Sequence, residues 1–438
     1  MRSLFPFLLA PIALAKASAP PSPPKPKLAY VIILARYGVR SPTATNDSLR
    51  QYAADPWPKW GVAPGDLTEH GAKLLGILGG WYRGWLAQDG LLSETGCQAV
   101  GNVHVRADVG QRTTASARAL VEGMFPGCAI ATNAANGDSD PLFHPVLAGL
   151  AHGDATLAAA AVSGRIGDHP EALAPTLEHA FLTLREILFG CAAGAPCPAE
   201  KLPGKQGLLS LPASVAGTDD GLADIRGPIR TGSTMAENLL LEYADGKSGK
   251  DLGWGRLDET GLNEVMAIHT SYADLGRRTQ YLAVVQGSNL LSHILRSMEQ
   301  AMSGKSVPGA LGKPGDRLLL LAGHDTNISH IAGMLNLSWL LPGYQRDDTP
   351  PGGALVFKLW RRPGGAGYFV ESLYIAQTLN QMRNAAPLSP SSPPSSSPAI
   401  AGIFVPGCPV AGVRTDCDWD RFREVASKAM DVRYVGAP

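Results

Sequence analysis

Apolar residues fall into short runs and helical stripes, and the order of these elements predicts an α/β fold. The run "LAYVIILA", residues 28–35, is apolar throughout, as in a strand that is covered on both faces of a parallel sheet. Leucine and aromatic residues recur at helical spacing through residues 67–86, which predicts a helix that packs on this sheet. Residues 102–109 then predict a second strand and residues 111–125 a second helix. This β-α-β-α order is typical of the α/β class.

The pattern changes in the middle of the chain. From about residue 146 to residue 264 the sequence is rich in alanine and leucine and offers few strand candidates, so we predict a helical insert there. Strand character returns at residues 317–325. We therefore predict an α/β domain made of residues 28–145 and 265–438, interrupted by a mostly α-helical domain at 146–264. The Pro/Ser-rich segment 387–399 cannot bury an apolar face and is predicted to be a mobile surface loop.

The first 19 residues carry one positive charge, a short apolar run and small residues in an A-x-A arrangement. These features predict a secretory signal peptide at residues 1–19. The run is too short for a permanent anchor, and no other segment approaches ~20 uninterrupted apolar residues. We expect that the mature protein is exported to a periplasm and has no membrane anchor.

Export favours disulfide bonds for the six cysteines, because thiols oxidise outside the cytosol. Six cysteines allow 15 pairings. Their grouping along the chain favours near neighbours: Cys97 with Cys128, Cys191 with Cys197, and Cys408 with Cys417.

Composition excludes some classes of function. The chain has 438 residues, is 45% hydrophobic and 17% charged, and so can bury a large core. Its 38 basic residues balance 38 acidic ones, so no overall field attracts nucleic acid or anionic lipid. An anion site must therefore be built locally. The ten histidines show no H-E-x-x-H or comparable spacing, so neither a metal site nor a cofactor is predicted.

The first chemical motif is "RYGVR", which directly follows the first predicted strand. Arg36 and Arg40 lie on one short loop around Gly38, and their guanidinium groups repel each other unless a negative group lies between them. A phosphoryl group fits, because it accepts bidentate hydrogen bonds from arginine, and ligands of α/β sheets bind at the carboxyl ends of strands. The alternative is that both arginines pair with surface carboxylates.

The second motif is "AGHDTN", where His324 and Asp325 lie between a predicted strand and a predicted helix. Backbone N–H groups and the helix dipole favour an anion at such a position. The alternative is that Asp325 caps the helix and His324 is an ordinary loop residue.

Together, R-x-G-x-R-x-P near the start and G-H-D-T-N near the end resemble the signature of the histidine acid phosphatases, specifically the bacterial phytase and glucose-1-phosphatase group. Further stretches follow in the order of that group: "DPWPKW", "RADVGQRT", "FPGC", "DPLFHP", "GSTMAENLLLEYADG", "GWGRL", "PGGALVFKLW" and "AQTLNQMR". The cysteine groups also match its disulfides. The resemblance implies a phosphoglycerate-mutase-like α/β domain with an inserted, mostly α-helical domain, and chemistry that needs no metal.

The resemblance also implies roles for individual residues. Substrate-binding roles fall on Arg36, Arg40, Thr43, Arg112 and His324. Asp325 would be the general acid that protonates the leaving alcohol. Family members form a phosphohistidine on the residue between the first arginine and the glycine, and this chain has Tyr37 there.

A tyrosine at this position changes the expected chemistry. An imidazole with a pKa near 6.5 is a good nucleophile at mildly acidic pH, whereas a phenol with an ordinary pKa near 10 is not. The phenol oxygen also lies ~2 Å further from the backbone than the imidazole nitrogen, and errors of about 1 Å cost ~100-fold in rate. His104 is the best placed histidine to substitute, although a strand histidine is more often simply packed.

Three hypotheses follow for Tyr37. The protein is a phosphomonoesterase or phosphotransferase that uses Tyr37 or a directed water as nucleophile. Alternatively, Tyr37 fills the nucleophile site, and the protein binds a phosphorylated sugar without hydrolysing it. In the third hypothesis the pocket supports a different phosphosugar reaction, such as phosphoryl or glycosyl transfer. Retention of Asp325 favours catalysis over simple binding, because a pure binder gains little from a proton donor.

The expected partner is a small-molecule phosphate ester. Ala44 follows Thr43 where phytate-degrading relatives commonly carry lysine, and "FPGC" resembles the glucose-1-phosphatases. A sugar monophosphate such as glucose 1-phosphate is therefore favoured over inositol phosphates. Glu237 matches a pocket-wall position of the family, but a helix residue of this kind is equally compatible with a solvated surface.

Overall fold

The structure is a computed structural model that describes residues 24–192, 194–391, 394–408 and 416–438; the predicted signal peptide lies outside these ranges. The strands are β1 Lys27–Arg36, β2 Val103–Ala107, β3 Ser214–Gly217, β4 Ala223–Arg226, β5 Leu318–Gly323, β6 Ala354–Arg361, β7 Tyr368–Ala376, β8 Ala399–Ile403 and β9 Cys417–Asp418. The α-helices are α1 Asn46–Leu49, α2 Glu69–Gln88, α3 Gln111–Met124, α4 Ala155–Ile166, α5 Leu173–Thr176, α6 Glu178–Phe189, α7 Pro228–Ala244, α8 Glu259–Gly276, α9 Gln280–Ser303, α10 Asp325–Leu335, α11 Leu379–Arg383 and α12 Trp419–Ala429.

The central sheet has the strand order β2-β5-β1-β6-β7-β8, and β9 pairs with β7. Strand β5 runs parallel to both β1 and β2, whereas β6, β7 and β8 pair in antiparallel fashion. The sheet is therefore mixed. The parallel environment expected for β1 holds only on its β5 side, because its other neighbour, β6, is antiparallel.

Both faces of β1 are covered, as its uninterrupted apolar run predicts. Ile32 and Leu34 belong to a core cluster that includes residues of α7 to α10. Val31 and Ile33 point to the opposite face and belong to a second cluster with residues of α2 and α3. Because side chains alternate along a strand, a sheet between two helical layers requires apolar residues at every position.

The predicted elements around the two motifs are confirmed. Helix α2 lies at the predicted residues 67–86 and helix α3 at 111–125, to within a few positions. Strand β2 lies within the predicted residues 102–109 and strand β5 within 317–325. Segment 146–264 contains helices α4 to α7, as expected, and also the β3–β4 hairpin, which forms a separate two-stranded sheet. These two strands have four residues each and only Ile225 is buried, so they lack an apolar signal. The domain boundaries at residues 145/146 and 264/265 stay a prediction.

The described part of the Pro/Ser-rich loop is attached to the domain. Gln381 Nε2 donates to the carbonyl of Ser397 at 2.8 Å, and Trp81 Nε1 donates to Ser397 Oγ at 3.2 Å. The last residue of the predicted loop, Ala399, already begins β8. The mobility of this segment stays a prediction.

The three cysteine pairs that the grouping favours are confirmed as disulfides: Cys97–Cys128, Cys191–Cys197 and Cys408–Cys417. Each should stabilise the fold by about 2–4 kcal/mol, mainly because it restricts the unfolded chain. Across the described ranges, none of the helices combines the length and apolarity that crossing a bilayer requires.

Candidate functional site

The two motifs meet at one edge of the sheet because the strands that precede them are parallel neighbours. In register, Arg36 at the end of β1 lies opposite Gly323 at the end of β5, and Ala107 at the end of β2 lies opposite Ala322. The segments that follow these strands therefore leave the sheet side by side: residues 37–40, residues 108–112, which reach into the start of α3, and residues 324–325, at the start of α10. This is the edge at which open α/β sheets bind their ligands.

Tyr37 lies at the centre of this edge. The guanidinium carbons of Arg36, Arg40 and Arg112 lie 5.1, 5.5 and 4.7 Å from the centre of its ring. The His324 imidazole meets the same ring edge-on, with centroids 5.4 Å apart. Arg40 Nε donates to Tyr37 Oη at 3.3 Å, and the side chain is buried. We call the three arginines around this ring the guanidinium cage. The structure brings the three arginines and His324 together around Tyr37, and their roles in binding stay a prediction.

A carboxylate from a distant helix neutralises part of the cage. Glu237 on α7 forms a buried ion pair with Arg36, and its Oε1 lies 3.5 Å from Arg40 Nη2. Burial raises the pKa of Glu237, but the positive charges of Arg36, His269 and Arg40 outweigh this effect and lower it below its ordinary value. The arginines of the first motif are therefore paired with a carboxylate, as in the alternative from sequence, but that carboxylate is buried. Glu237 is a wall of the site, not a solvated surface residue.

Asp325 is also buried in an ion pair, with Arg277 at the end of α8. Burial raises the pKa of Asp325, but the charges of Arg277 and Arg36 dominate and hold it well below its ordinary value. The helix-cap alternative for Asp325 is wrong, because His324 is the N-cap residue of α10 and Asp325 is its first residue. Sequence reasoning missed Arg277, which belongs to no motif.

His324 is held by a carboxylate from the second loop. Its Nε2 lies 2.7 Å from Asp108 Oδ2, and His144 Nε2 lies 3.2 Å from the same oxygen. Burial lowers the pKa of His324, Asp108 opposes that shift, and the charges of His144 and Arg112 add to it. For Asp108, burial raises the pKa, but the two imidazoles outweigh it and bring the value below the ordinary one.

Asp108, His144 and His324 form the one group of possible metal ligands found in the described ranges, with ligand atoms that all lie within 4.8 Å of one another. We call these three residues the His-Asp-His cluster. Ligand spacing along the sequence gave no sign of it, because Asp108 and His324 are 216 positions apart. The stretches that contain Asp108 and His144, "RADVGQRT" and "DPLFHP", were visible only as parts of the family resemblance.

Two other residues considered from sequence lie outside the cage. Thr43 is exposed on the loop after Arg40. His104 lies in the first half of β2, away from its carboxyl end, and packs against Gly312. Burial lowers the pKa of His104. The packed interpretation of His104 is therefore favoured over a role as substitute nucleophile.

A cavity of about 280 Å³ adjoins the first-motif loop. Ser41 and Pro42, which directly follow Arg40, line it together with Ala44, Lys59 and Trp60. Three larger cavities lie elsewhere in the described part of the chain. Their volumes are about 630 Å³ between α9 and α12, about 650 Å³ at the start of α9, and about 500 Å³ beside α5 and α8, and none of the three contains a residue of the cage. The smaller cavity contains no cage residue either, but it lies next to Arg40 along the chain.

Comparison with known proteins agrees with this geometry. A model of the histidine phosphatase superfamily (branch 2) matches residues 27–169 and 258–375. Phytase AppA of Escherichia coli is 33% identical over 431 residues, 97% of this chain and 98% of that protein. Glucose-1-phosphatase of Providencia rettgeri is 25% identical over 428 residues, 97% of each chain. The structure of Hafnia alvei phytase in complex with tartrate has a TM-score of 0.85 at 32% identity and covers 95% of this chain and 100% of that one.

The expected α/β fold with its many helices is confirmed by this match to phytase structures. The stretch that the family model leaves unmatched, residues 170–257, lies inside the segment that we predict to be an insert. With both motifs at one sheet edge and with relatives that match along nearly its whole length, the chain belongs to the histidine phosphatase superfamily, branch 2.

Proposed function

We propose that the protein is a periplasmic hydrolase of phosphate monoesters, of the acid phosphatase type, that acts on sugar phosphates such as glucose 1-phosphate. One observation carries this proposal: three guanidinium groups and an imidazole, from the ends of β1 and β5 and the start of α3, surround the Tyr37 ring at the carboxyl edge of the sheet. An array of this kind suits the three equatorial oxygens of a phosphoryl group in transfer. The relatives named as phytase and glucose-1-phosphatase support a phosphate ester as ligand.

In this proposal the cage binds the phosphate, and Glu237 controls access to it. Glu237 is ionised and occupies hydrogen-bonding positions of Arg36 and Arg40 that a phosphate would use. An incoming phosphate dianion carries more charge than Glu237 and forms bidentate contacts, so it can displace the carboxylate. Arg112 forms no ion pair with the residues that the structure describes, and its buried Nε has no hydrogen-bond partner among them, so its guanidinium is available to contact the phosphate first.

Asp325 would be the general acid, and substrate binding would prepare it for that role. Without an anion, Arg277 and Arg36 keep Asp325 ionised, so it holds no proton to give. A phosphate dianion beside these guanidiniums offsets their charge and raises the pKa of Asp325. The carboxyl group would then take a proton in the enzyme–substrate complex and pass it to the leaving oxygen.

Tyr37 would occupy the position of the family's nucleophile. In one route Tyr37 Oη gives its proton to solvent and forms a bond to phosphorus while the ester P–O bond breaks and the leaving oxygen takes the proton of Asp325. Water then attacks phosphorus, its OH stays on the released phosphate, and its remaining proton returns to Oη as the Oη–P bond breaks. In the other route a water molecule attacks phosphorus directly and Tyr37 only shapes the site. Both routes require the Tyr37 ring to shift, because it now lies between the guanidinium groups that would hold the phosphate.

The position of this ring favours a second candidate function, a phosphosugar-binding protein without turnover. The ring fills the centre of the cage, and Asp325 is committed to Arg277. In this alternative a phosphorylated sugar binds at the rim of the cage, beside the 280 Å³ cavity, and the phenol prevents in-line attack.

A comparison of Tyr37 variants tests the proposal. Wild type, Tyr37→Phe and Tyr37→His would be assayed for phosphate release from glucose 1-phosphate, phytate and an aryl phosphate between pH 3 and pH 7. Turnover by wild type supports the hydrolase; its loss in Tyr37→Phe assigns the nucleophile, and its retention assigns the water route. Turnover by Tyr37→His alone refutes the hydrolase and leaves the binding function, which titration of Asp325→Asn with glucose 1-phosphate would measure directly.

The proposed compartment rests on two features. The predicted signal peptide directs export, and three disulfides are typical of proteins that fold in an oxidising compartment. Cell fractionation with the full-length gene product checks this: release of the protein by osmotic shock supports a periplasmic location, and retention with the cytosol contradicts it.

A further inference from the structure

We propose that the His-Asp-His cluster, Asp108, His144 and His324, binds one divalent transition metal ion of the zinc type. The donor atoms are two imidazole nitrogens and a carboxylate oxygen. Zinc sites that keep an open position use three protein ligands of these types, whereas calcium and magnesium require oxygen ligands throughout. The inference is independent of whether the protein hydrolyses a phosphate ester.

Two of the three separations between ligand atoms can be compared directly with tetrahedral coordination, and the third, between His144 and His324, lies within 4.8 Å. Ligand atoms ~2.05 Å from zinc at the tetrahedral angle lie about 3.3 Å apart. His144 Nε2 and Asp108 Oδ2 are 3.2 Å apart, and His324 Nε2 lies 2.7 Å from the same oxygen. The first separation already matches, and the second must open by about 0.6 Å for both atoms to bind one ion.

The surrounding residues hold the ligands in place. The buried side chain of Asp140 forms an ion pair with Arg106 at 3.0 Å. The backbone N–H of His144 donates to the backbone carbonyl of Asp140 at 2.8 Å. Asn327 joins the other two ligand segments, because its Oδ1 accepts from the backbone N–H of His324 and its Nδ2 donates to the carbonyl of Phe143. Metal sites depend on such second-layer contacts to orient their ligands.

Asp108 has spare capacity for coordination. Its Oδ2 faces both imidazoles, whereas its Oδ1 is buried and has no hydrogen-bond partner among the residues that the structure describes. Buried polar atoms without partners are rare, and a bound ion is one of the ordinary explanations. The His144 side chain is 31% exposed, so an ion and its fourth ligand, a water or a phosphate oxygen, can reach the cluster from solvent.

The alternative is that Asp108 only accepts hydrogen bonds from two neutral imidazoles and orients His324. Metal binding by the purified full-length protein separates these possibilities. The protein would be stripped with a chelator and dialysed against Zn²⁺, and bound zinc would be counted by mass spectrometry. Titration with Co²⁺ would give an affinity and a visible spectrum. We expect one equivalent per chain and the absorption of four-coordinate Co²⁺.

His144→Asn should weaken binding by more than the ~10- to 100-fold typical of a second-layer change, because it removes a ligand. The matched control is His179→Asn, which alters an exposed histidine that also faces a carboxylate, Glu264 at 3.4 Å; it should leave the affinity unchanged. Absence of stoichiometric zinc in wild type, which does not depend on the folding of any variant, overturns the inference. Equal affinity of folded His144→Asn and wild type does so as well.

Discussion

Replacement of Glu237 by glutamine tests how the cage is kept ready for an anion. Glu237 is the buried carboxylate that pairs with Arg36 and lies 3.5 Å from Arg40. Glutamine keeps the shape and removes the charge. Because a phosphate competes with this carboxylate for the same guanidiniums, Glu237→Gln should bind inorganic phosphate more tightly than wild type.

The structure sets the size of the effect. Opposite unit charges 3.5 Å apart attract each other by about 4.7 kcal/mol at an effective dielectric constant of about 20. Only part of this is recovered in phosphate affinity, because glutamine still accepts a hydrogen bond and water partly solvates the freed guanidiniums. We expect about 1.4–2.8 kcal/mol, a gain of about 10- to 100-fold in affinity. Without phosphate, the unpaired arginines should lower the free energy of unfolding by about 3 kcal/mol.

Calorimetric titration with inorganic phosphate at pH 6 measures the affinity, and urea unfolding with and without phosphate measures the stability. Glu242→Gln is the matched control on the same helix. Glu242 is buried, accepts the backbone N–H of Gly253 at 2.9 Å, and has a pKa that burial raises to about 8. It is therefore neutral at pH 6, and its replacement should leave phosphate affinity unchanged. The reasoning is refuted if Glu237→Gln binds phosphate no more tightly than wild type, or if both variants gain equally.

Three further predictions concern stability, each measured by urea unfolding. Arg277→Gln leaves Asp325 as a buried, unpaired carboxylate and should cost about 3 kcal/mol at pH 7. Arg277 lowers the pKa of Asp325, so this stabilisation is present above the ordinary carboxyl pKa of about 3.9 and is lost as the pH falls below it. The cost should therefore shrink only below about pH 4, and a cost that stays constant down to about pH 2 contradicts this. Burial raises the pKa of Glu242, so its protonated side chain favours the folded state below pH ~4.5, and this contribution is lost as the pH rises to about 8. The free energy of unfolding of Glu242→Gln should therefore rise relative to that of wild type between these pH values, by at most about 5 kcal/mol. A difference in unfolding free energy that does not change with pH would contradict this. Removal of the Cys97–Cys128 disulfide, which closes a loop of 31 residues, should lower the free energy of unfolding by about 3.7 kcal/mol. An unchanged urea midpoint would show that this disulfide does not restrict the unfolded chain.

Local signals in the sequence were sufficient for the elements that carry the cage. Strands β1 and β5 are buried on both faces and therefore appear as uninterrupted apolar runs. The chemical residues come immediately after these runs, where parallel strands place their loops together, so the meeting of Arg36, Arg40 and His324 was predictable. The β3–β4 hairpin was not, because its strands have four residues each and bury only Ile225, which is too little apolar surface to leave a pattern.

The ion-pair partners of Arg36 and Asp325 were not predictable from local sequence. Glu237 meets Arg36 across 201 positions, and Arg277 meets Asp325 across 48. Each of these contacts depends on how a helix of the α7–α8 region packs over the sheet edge. A buried charge must find an opposite charge, but local sequence does not say which of many candidates will lie within reach.

The sequence by itself determined the order of strands and helices, the cysteine pairs and the loops that carry the arginines and His324, because these depend on neighbouring residues and on the periodicity of burial. Only the tertiary structure decided the charge state of Asp325, the burial of Glu237 and the assembly of Asp108, His144 and His324. The physical reason is that electrostatic energy depends on distances through space between buried groups, and these distances exist only once the chain has folded.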